Sequence, residues 1–169
     1  MRRNLRVAAY AVCVRDGQLL LAHSPGPDGT PEWVLPGGGM EHGEDPYDTV
    51  RREVTEETGY RIRVTDLLGV HSHRLVGNPR VGRRTDHHGV RIVYAAEVTG
   101  GELRYEVGGS TDLAAWQPLD AVPGLHRVPL VDIALGLWRE RPPHGRPSHG
   151  RPSHGGPEAG PLPRQMNEE

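Results

Sequence analysis

The chain has no lysine and no phenylalanine, and it carries a single cysteine, Cys13, among 169 residues. All 20 basic residues are therefore arginine. The absence of lysine excludes a lysine-dependent phosphate-binding loop, a Schiff-base nucleophile and a lysine general base. The lone cysteine excludes a disulfide framework and a zinc site built from cysteines.

Long apolar runs are also missing. No stretch approaches the roughly 20 apolar residues that a membrane-spanning helix needs. The apolar run at 7–14 follows three arginines, but it is short and Arg15 ends it, so it does not have the form of a signal peptide. The formal net charge of −2 does not indicate a general binder of nucleic acid or of membrane surfaces. We therefore predict a cytoplasmic protein with neither of these partners.

Glycine and proline are abundant instead, with 23 and 16 residues. Many of them lie in 141–169, where the pentads at 144–148 and 149–153 both read His-Gly-Arg-Pro-Ser. A five-residue repeat without apolar side chains cannot form a core. The sequence therefore predicts one domain over 1–140 and a disordered, low-complexity tail over 141–169.

Alternation of apolar and polar residues predicts strands on both sides of one acidic helix. A strand at 7–14, the turn Asp16-Gly17 and a strand at 18–23 form a predicted hairpin. Residues 36–39 are predicted to break regular structure. Further strands are predicted at 61–65, 67–73, 90–98 and 102–107, and a second helix at 129–139. This order indicates an α+β fold or a sandwich.

Both ends of the acidic helix can be predicted from the sequence. Asp45 is a suitable N-cap, Pro46 suits the first helical position, and Gly59 is a natural stop, which predicts a helix over 46–58. Its glutamates at i, i+3 and i+4 share one face, where like charges repel by about a few tenths of a kcal/mol per pair. These are Glu53, Glu56 and Glu57. A hard divalent cation bound by these glutamates would relieve the repulsion. The alternative is a solvent-exposed face on which the glutamates form ion pairs with neighbouring arginines.

The spacing around this helix favours the first interpretation. Five residues separate Gly38 from Glu44, and seven more precede Arg52-Glu53-Val54. Glu56-Glu57 and Gly59-Tyr60 follow, each after a one-residue gap. This pattern over 38–60 resembles the Nudix box, G-x5-E-x7-R-E-U-x-E-E-x-G-U, in which U is a bulky apolar residue. Every fixed position matches, and the last U is a tyrosine.

The chain is thus identified as a member of the Nudix hydrolase family by resemblance. The resemblance implies an α/β/α sandwich around a small mixed β-sheet. It also implies Mg2+-dependent hydrolysis, with Mn2+ able to substitute, of a pyrophosphate bond in a nucleoside diphosphate linked to another moiety. Nucleoside triphosphates, nucleotide sugars and ADP-ribose are the substrate classes, and a homodimer is compatible with the family. A module that senses a nucleotide without turnover is the alternative.

The resemblance also implies roles for individual residues. It places metal ligands at Glu53, Glu56, Glu57 and the carbonyl of Gly37. It makes Glu53 and Glu57 catalytic, with Arg52 orienting a helix glutamate. Structural roles fall to Gly38, which allows a turn of the loop, to Glu44 at the loop–helix junction, and to Gly59 at the helix end.

Residues outside the box are less constrained. Many family members add an acid after the box as a base or metal ligand; the candidates are Glu97, Glu102, Glu106 and Asp112, of which we favour Glu106. The segment 71–88 is rich in histidine and arginine and lacks periodicity, so it is predicted to be a loop. It either faces the substrate or is an exposed connection. Candidate substrate-binding residues are Arg74 and Arg84 in this segment, and Trp33 as a stacking platform.

Overall fold

The computed structural model describes residues 2–26, 29–76, 85–104 and 113–142. Within these ranges the chain forms strands, two α-helices and a 3-10 turn at Val122–Gly124. The helices are α1 (Pro46–Thr58) and α2 (Pro129–Glu140). The strands are β1 (Arg2–Arg15), β2 (Gln18–Pro25), β3 (Pro31–Val34), β4 (Gly37–Gly39), β5 (Tyr60–Val76), β6 (Thr85–Gly101) and β7 (Leu113–Pro118).

The strands form a mixed sheet in the order β3-β2-β1-β6-β5. The central pair, β1 and β6, is parallel, whereas the other pairs are antiparallel. The short strand β4 pairs with Ala8–Tyr10 of β1, and β7 pairs with β2. Strand β1 therefore touches three other strands, and it runs through the centre of the molecule.

The alternation of side chains along β1 explains the layers. Ala11 points to one face and packs in a buried cluster with Val54 of α1. Val12 points to the other face and packs in a second buried cluster with Val131 of α2. One helix therefore covers each face of the sheet, which confirms the predicted α/β/α sandwich. No helix in the described ranges has both the length and the apolar character needed to cross a membrane.

Helix α1 has the predicted bounds because its ends are determined locally. The Asp45 side chain accepts a hydrogen bond from the backbone N–H of Tyr47 at 2.8 Å, and Pro46 occupies the first helical position. At the other end Gly59 adopts a left-handed conformation with φ of 75°, and its N–H bonds to the carbonyl of Thr55.

Two predictions about the strands are wrong. Residues 36–39 were expected to break regular structure, yet Gly37–Gly39 forms strand β4. The strands predicted at 61–65 and 67–73 are one continuous strand, β5, whose pairing with β6 shifts register three times. Each β-bulge resets the two-residue period, so the alternation in the sequence is lost although the strand continues.

The segment 71–88 is not the predicted loop at its two ends. Residues 71–76 belong to β5 and residues 85–88 to β6, paired with each other in antiparallel register. Residues 77–84 lie outside the described residues. Residues 102–104 are not in a strand, and the rest of the strand predicted at 102–107 is not described. The predicted tail lies outside the described residues from position 143 onward.

The end of α1 generates a test of stability. Substituting Gly59→Ala forces an L residue into a left-handed conformation, which costs about 1–2 kcal/mol. The added Cβ would also overlap the carbonyl oxygen of Glu102, and this clash adds to the cost. Gly136 lies within α2 with open space where a Cβ would be, so Gly136→Ala is expected to gain about 0.5–1 kcal/mol. Urea unfolding of both variants measures these changes, and an unchanged free energy of unfolding for Gly59→Ala would contradict this account of the helix end.

Candidate functional site

Helix α1 is tied to strand β4 through Glu57. This side chain is buried, with 4% of the residue exposed, and its Oε2 accepts a hydrogen bond from the backbone N–H of Gly37 at 2.9 Å. Gly37 has a φ of 143°, and a Cβ there would lie 2.7 Å from the Cα of Tyr10 on β1. Glycine at this position therefore allows β4 to lie tightly on β1 and to present its N–H to the carboxylate.

The next two glycines bring charged groups close to the backbone of β4. A Cβ on Gly38 would lie 2.6 Å from the carboxylate of Glu53, and a Cβ on Gly39 would lie 2.6 Å from the guanidinium of Arg6. Gly38 was expected to permit a turn of a loop, but it lies in a strand. Here glycine makes room for the Glu53 head group, which a larger residue would displace.

Arg52 forms hydrogen bonds with three carboxylates at the site. Its Nε and Nη2 donate to the two oxygens of Glu44 at 2.8 and 2.9 Å, which is a bidentate pair. Its Nη1 donates to Glu53 at 3.0 Å and to Glu56 at 3.2 Å. A further bond from Nη2 reaches the carbonyl of Gly39 at 3.2 Å. One guanidinium therefore joins the end of β4 to three acids.

These contacts change the acidity of two glutamates in opposite directions. The hydrogen bonds from Arg52 hold the pKa of Glu44 at about 2, with help from the backbone N–H of Glu41 and the hydroxyl of Thr49. Burial raises the pKa of Glu53, although Arg52 opposes that shift. The ionised form of Glu53 is thus less well compensated than that of Glu44, and an added positive charge would stabilise it.

A cleft of about 350 Å³ opens beside these groups. Glu53, Glu57 and β4 line it. Basic and imidazole side chains from β1, β5 and β6 line it as well: Arg6, His73, His87 and Arg91. The parallel pairing of β1 with β6 sets Ala8 beside Arg91 and Arg6 beside Gly89, and the antiparallel pairing with β5 sets His73 opposite Gly89. The sheet register therefore brings these side chains together from three strands.

Tyr10 lies between the two kinds of charge in the cleft. Burial raises the pKa of its hydroxyl. Arg91 and Arg6 lower that pKa, whereas Glu57 and Glu53 raise it. The pKa of one side chain thus responds to both groups, so acidic and basic residues line the same cleft.

The residues predicted from the box come together only in part. Glu53, Glu57, Gly37 and Gly38 all line the cleft. The side chain of Glu56 is 49% exposed and is held by Arg52. Two more of the predicted residues, Glu44 and Gly59, lie at the two ends of α1 and do not line the cleft.

The candidates outside the box lie elsewhere. Arg74 forms two hydrogen bonds of 2.6 Å with Asp86, away from the cleft. The Trp33 ring packs on the ring of His23 at a centroid distance of 5.0 Å and against a core cluster. Glu97 pairs with Arg63 on the surface of the sheet. Glu102 is exposed and does not line the cleft. The remaining candidates, Arg84, Glu106 and Asp112, lie outside the described residues.

Sequence reasoning missed Arg6, Tyr10 and Arg91. A usable signal existed for Arg91, which interrupts the apolar run of β6 between Val90 and Ile92. A charged residue within a buried strand needs a functional or structural partner. Arg6 offered no comparable signal, because its place in the cleft depends on the pairing of strands about 80 residues apart.

The donor set of the cleft suits a hard divalent cation. The available ligands are the carboxylates of Glu53 and Glu57 and the backbone oxygens of β4, and Mg2+ prefers such oxygen ligands. Because Gly38 has no Cβ, the carboxylate of Glu53 can lie directly against the strand. Across the described ranges, no three side chains of His, Cys, Asp or Glu are grouped closely enough to form a metal site by themselves. A cation here would need backbone oxygens, water or substrate as additional ligands.

Comparison with known families gives an extended match. Residues 3–134 match the family model of the NUDIX domain. Among solved structures, a MutT NUDIX hydrolase from Burkholderia pseudomallei superposes with a TM-score of 0.64 at 32% identity, covering 79% of this chain and 98% of that one.

Two curated relatives match shorter segments. A MutT-like protein of Streptomyces ambofaciens is 44% identical over 71 residues, which are 42% of this chain and 45% of that protein. An ADP-ribose pyrophosphatase of Methanocaldococcus jannaschii is 34% identical over 119 residues, which are 70% of this chain and 65% of that protein. The chain thus spans less than two thirds of the length of either relative.

The pairing of Glu44 with Arg52 predicts a pH-dependent stability. Because the folded-state pKa of Glu44 is about 2 and its ordinary value is 4.5, the stabilisation is fully present above pH 4.5 and is lost as pH falls towards 2. We expect Glu44→Gln to be less stable than the parent protein at pH 7, and the difference to shrink as the pH drops through this range.

Urea unfolding at several pH values measures that difference. Glu97→Gln is the matched control, because Glu97 also pairs with an arginine but is exposed, and exposed pairs contribute little. A Glu44→Gln deficit that stays constant from neutral to acidic pH would contradict the assigned role of Arg52.

Proposed function

The chain belongs to the NUDIX domain family, and from this premise we propose that its cleft hydrolyses a pyrophosphate bond with the help of a divalent cation. The proposed substrates are nucleoside diphosphates linked to another moiety: nucleoside triphosphates, nucleotide sugars or ADP-ribose. The relative from Methanocaldococcus jannaschii is an ADP-ribose pyrophosphatase, which supports including ADP-ribose. The observation that carries the proposal is that Glu53 and Glu57 lie against the glycines of β4, in a cleft that basic side chains also line.

Hydrolysis of a pyrophosphate bond requires positive charge near the phosphate oxygens. The oxygens of a pyrophosphate repel an incoming nucleophile, so negative charge near the phosphorus atoms must be neutralised. In this proposal Glu53, Glu57 and the carbonyl of Gly37 hold Mg2+ or Mn2+. When bound, the cation supplies positive charge at the phosphate oxygens and lowers the pKa of a water molecule. The bases available in the described cleft are the same glutamates, and an acid after the box, Glu106, stays our proposal for an additional base.

The remaining residues of the box hold the acids in place. The N–H of Gly37 fixes one oxygen of Glu57, which leaves the orientation of that carboxylate determined by the backbone. Arg52 is a positioning residue, because it contacts Glu53 and Glu56 and does not line the cleft. We keep Glu56 as a proposed metal ligand. Its half-exposed side chain can turn towards a cation if its bond to Arg52 breaks.

A substrate panel tests the proposed function. The full chain is incubated with Mg2+ and with nucleoside triphosphates, nucleotide sugars or ADP-ribose, and the products are identified by chromatography and phosphorus NMR. We expect turnover of at least one class, its loss on chelation and its recovery with Mg2+ or Mn2+. Nucleotide binding without any turnover would contradict the proposal and would favour the sensing module.

A single substitution tests the role of Glu57. Glu57→Gln keeps an oxygen that can accept the Gly37 hydrogen bond but removes the negative charge. We expect turnover to fall by about two orders of magnitude or more, the scale of losing a charge-stabilising group, with an unchanged thermal midpoint. Asp48→Asn, which neutralises an exposed acid on the same helix, is the control and is expected to keep full activity. Near-normal turnover in Glu57→Gln would remove this residue from the reaction.

A further inference from the structure

Two arginines in the cleft have no carboxylate partner. Elsewhere in the described part of the chain, five arginines form ion pairs with carboxylates: Arg51, Arg52, Arg63, Arg74 and Arg127. In the part of the chain that the structure describes, neither Arg6 nor Arg91 has a carboxylate partner within 4.0 Å. Both nevertheless line the same cleft as Glu53 and Glu57.

Arg91 is held in position by an imidazole and not by an acid. Its Nη2 lies 3.2 Å from Nε2 of His73 on the neighbouring strand β5. Because a guanidinium can only donate, the Nε2 atom of His73 accepts this bond. Burial lowers the pKa of His73, and Arg91 lowers it further, so the neutral form that can accept is favoured. The bond fixes Arg91 while leaving its positive charge uncompensated.

Arg6 lies against the backbone of β4. Its guanidinium lies so close to Gly39 that a Cβ there would be 2.6 Å from Nη2. The Glu53 carboxylate therefore lies against Gly38 of β4, and the Arg6 guanidinium lies against the next residue, Gly39. An acidic and a basic group of the cleft thus both contact this short strand.

Arg91 is partly buried, and because a partly buried cation without an acidic partner is costly, an anionic ligand would offset that cost. Arg6 is exposed but lines the same cleft. The guanidinium is planar and presents several N–H groups that match two phosphate oxygens at once. We propose that Arg6 and Arg91 bind phosphate oxygens of the substrate and that His73 is the positioning residue for Arg91. This inference rests on the proposed function for the identity of the anion, and it assigns these basic residues to substrate binding.

Direct binding tests the role of Arg91. Calorimetry measures the affinity of the full chain for inorganic pyrophosphate in the presence of Mg2+. We expect Arg91→Gln to weaken binding by about tenfold or more, and Arg91→Lys to give an intermediate value because charge remains but the two-pronged geometry is lost. Arg63→Gln, which removes a surface arginine from its pair with Glu97, is the control and is expected to bind like the parent.

Two variants of His73 separate positioning from structural support. In His73→Gln an oxygen can still accept from Arg91, whereas His73→Leu offers no acceptor. With the best substrate from the panel, we expect His73→Leu to raise KM several-fold at nearly unchanged kcat, and His73→Gln to restore KM in part. Equal KM values for parent and His73→Leu would overturn the positioning role.

The binding readout distinguishes failure of this inference from failure of the proposed function. Pyrophosphate binding that depends on Arg91, in a protein without turnover, would uphold the phosphate site and refute the hydrolase. Turnover with pyrophosphate affinity and KM unchanged in Arg91→Gln would refute the phosphate site and uphold the hydrolase. Absence of pyrophosphate binding by the parent chain would also overturn the inference.

Discussion

The arrangement of the acidic residues in and beside the cleft depends on the hydrogen bonds of the Arg52 guanidinium. This group bonds to Glu44, Glu53 and Glu56 and to the carbonyl of Gly39, and so it connects the strand β4, the loop after it and the helix α1. Without a central positive charge, acids at this spacing repel one another and favour other arrangements of the loop. With it, Glu53 is held beside Gly38 while the ionisation of Glu44 is stabilised. Stability and the proposed chemistry thus use the same residue.

The basic residues of the cleft have a different origin, because their placing depends on strand pairing. Parallel pairing of β1 with β6 and antiparallel pairing of β6 with β5 collect Arg6, Arg91 and His73 from three separate parts of the chain. The sheet face that packs under α2 near Val93 continues, two residues along β6, into Arg91. One strand thus supplies the core and then the cleft. The glycines of β4 allow Glu53 and Arg6 to lie close to the backbone of this strand.

Local signals made α1 and its acids predictable from the sequence. Asp45, Pro46 and Gly59 determine the helix ends through contacts within a few residues, so their effect does not depend on the rest of the fold. Strand β4 could not be predicted in this way, because three glycines have no strand preference and pair only because β1 lies beside them. The bulges of β5 hid its length, and Arg6 joins the cleft only through long-range pairing. The site was therefore predictable where it is a helix face and not where it is a sheet surface.

The position of a bound cation tests the central claim most directly. Crystals of the full chain soaked with Mn2+, with data collected near the manganese absorption edge, give that position from the anomalous signal. The account predicts a peak in the cleft, coordinated by Glu53 and Glu57 beside Gly37. A peak confined to the surface at Glu44 and Glu56, with none in the cleft, would contradict it.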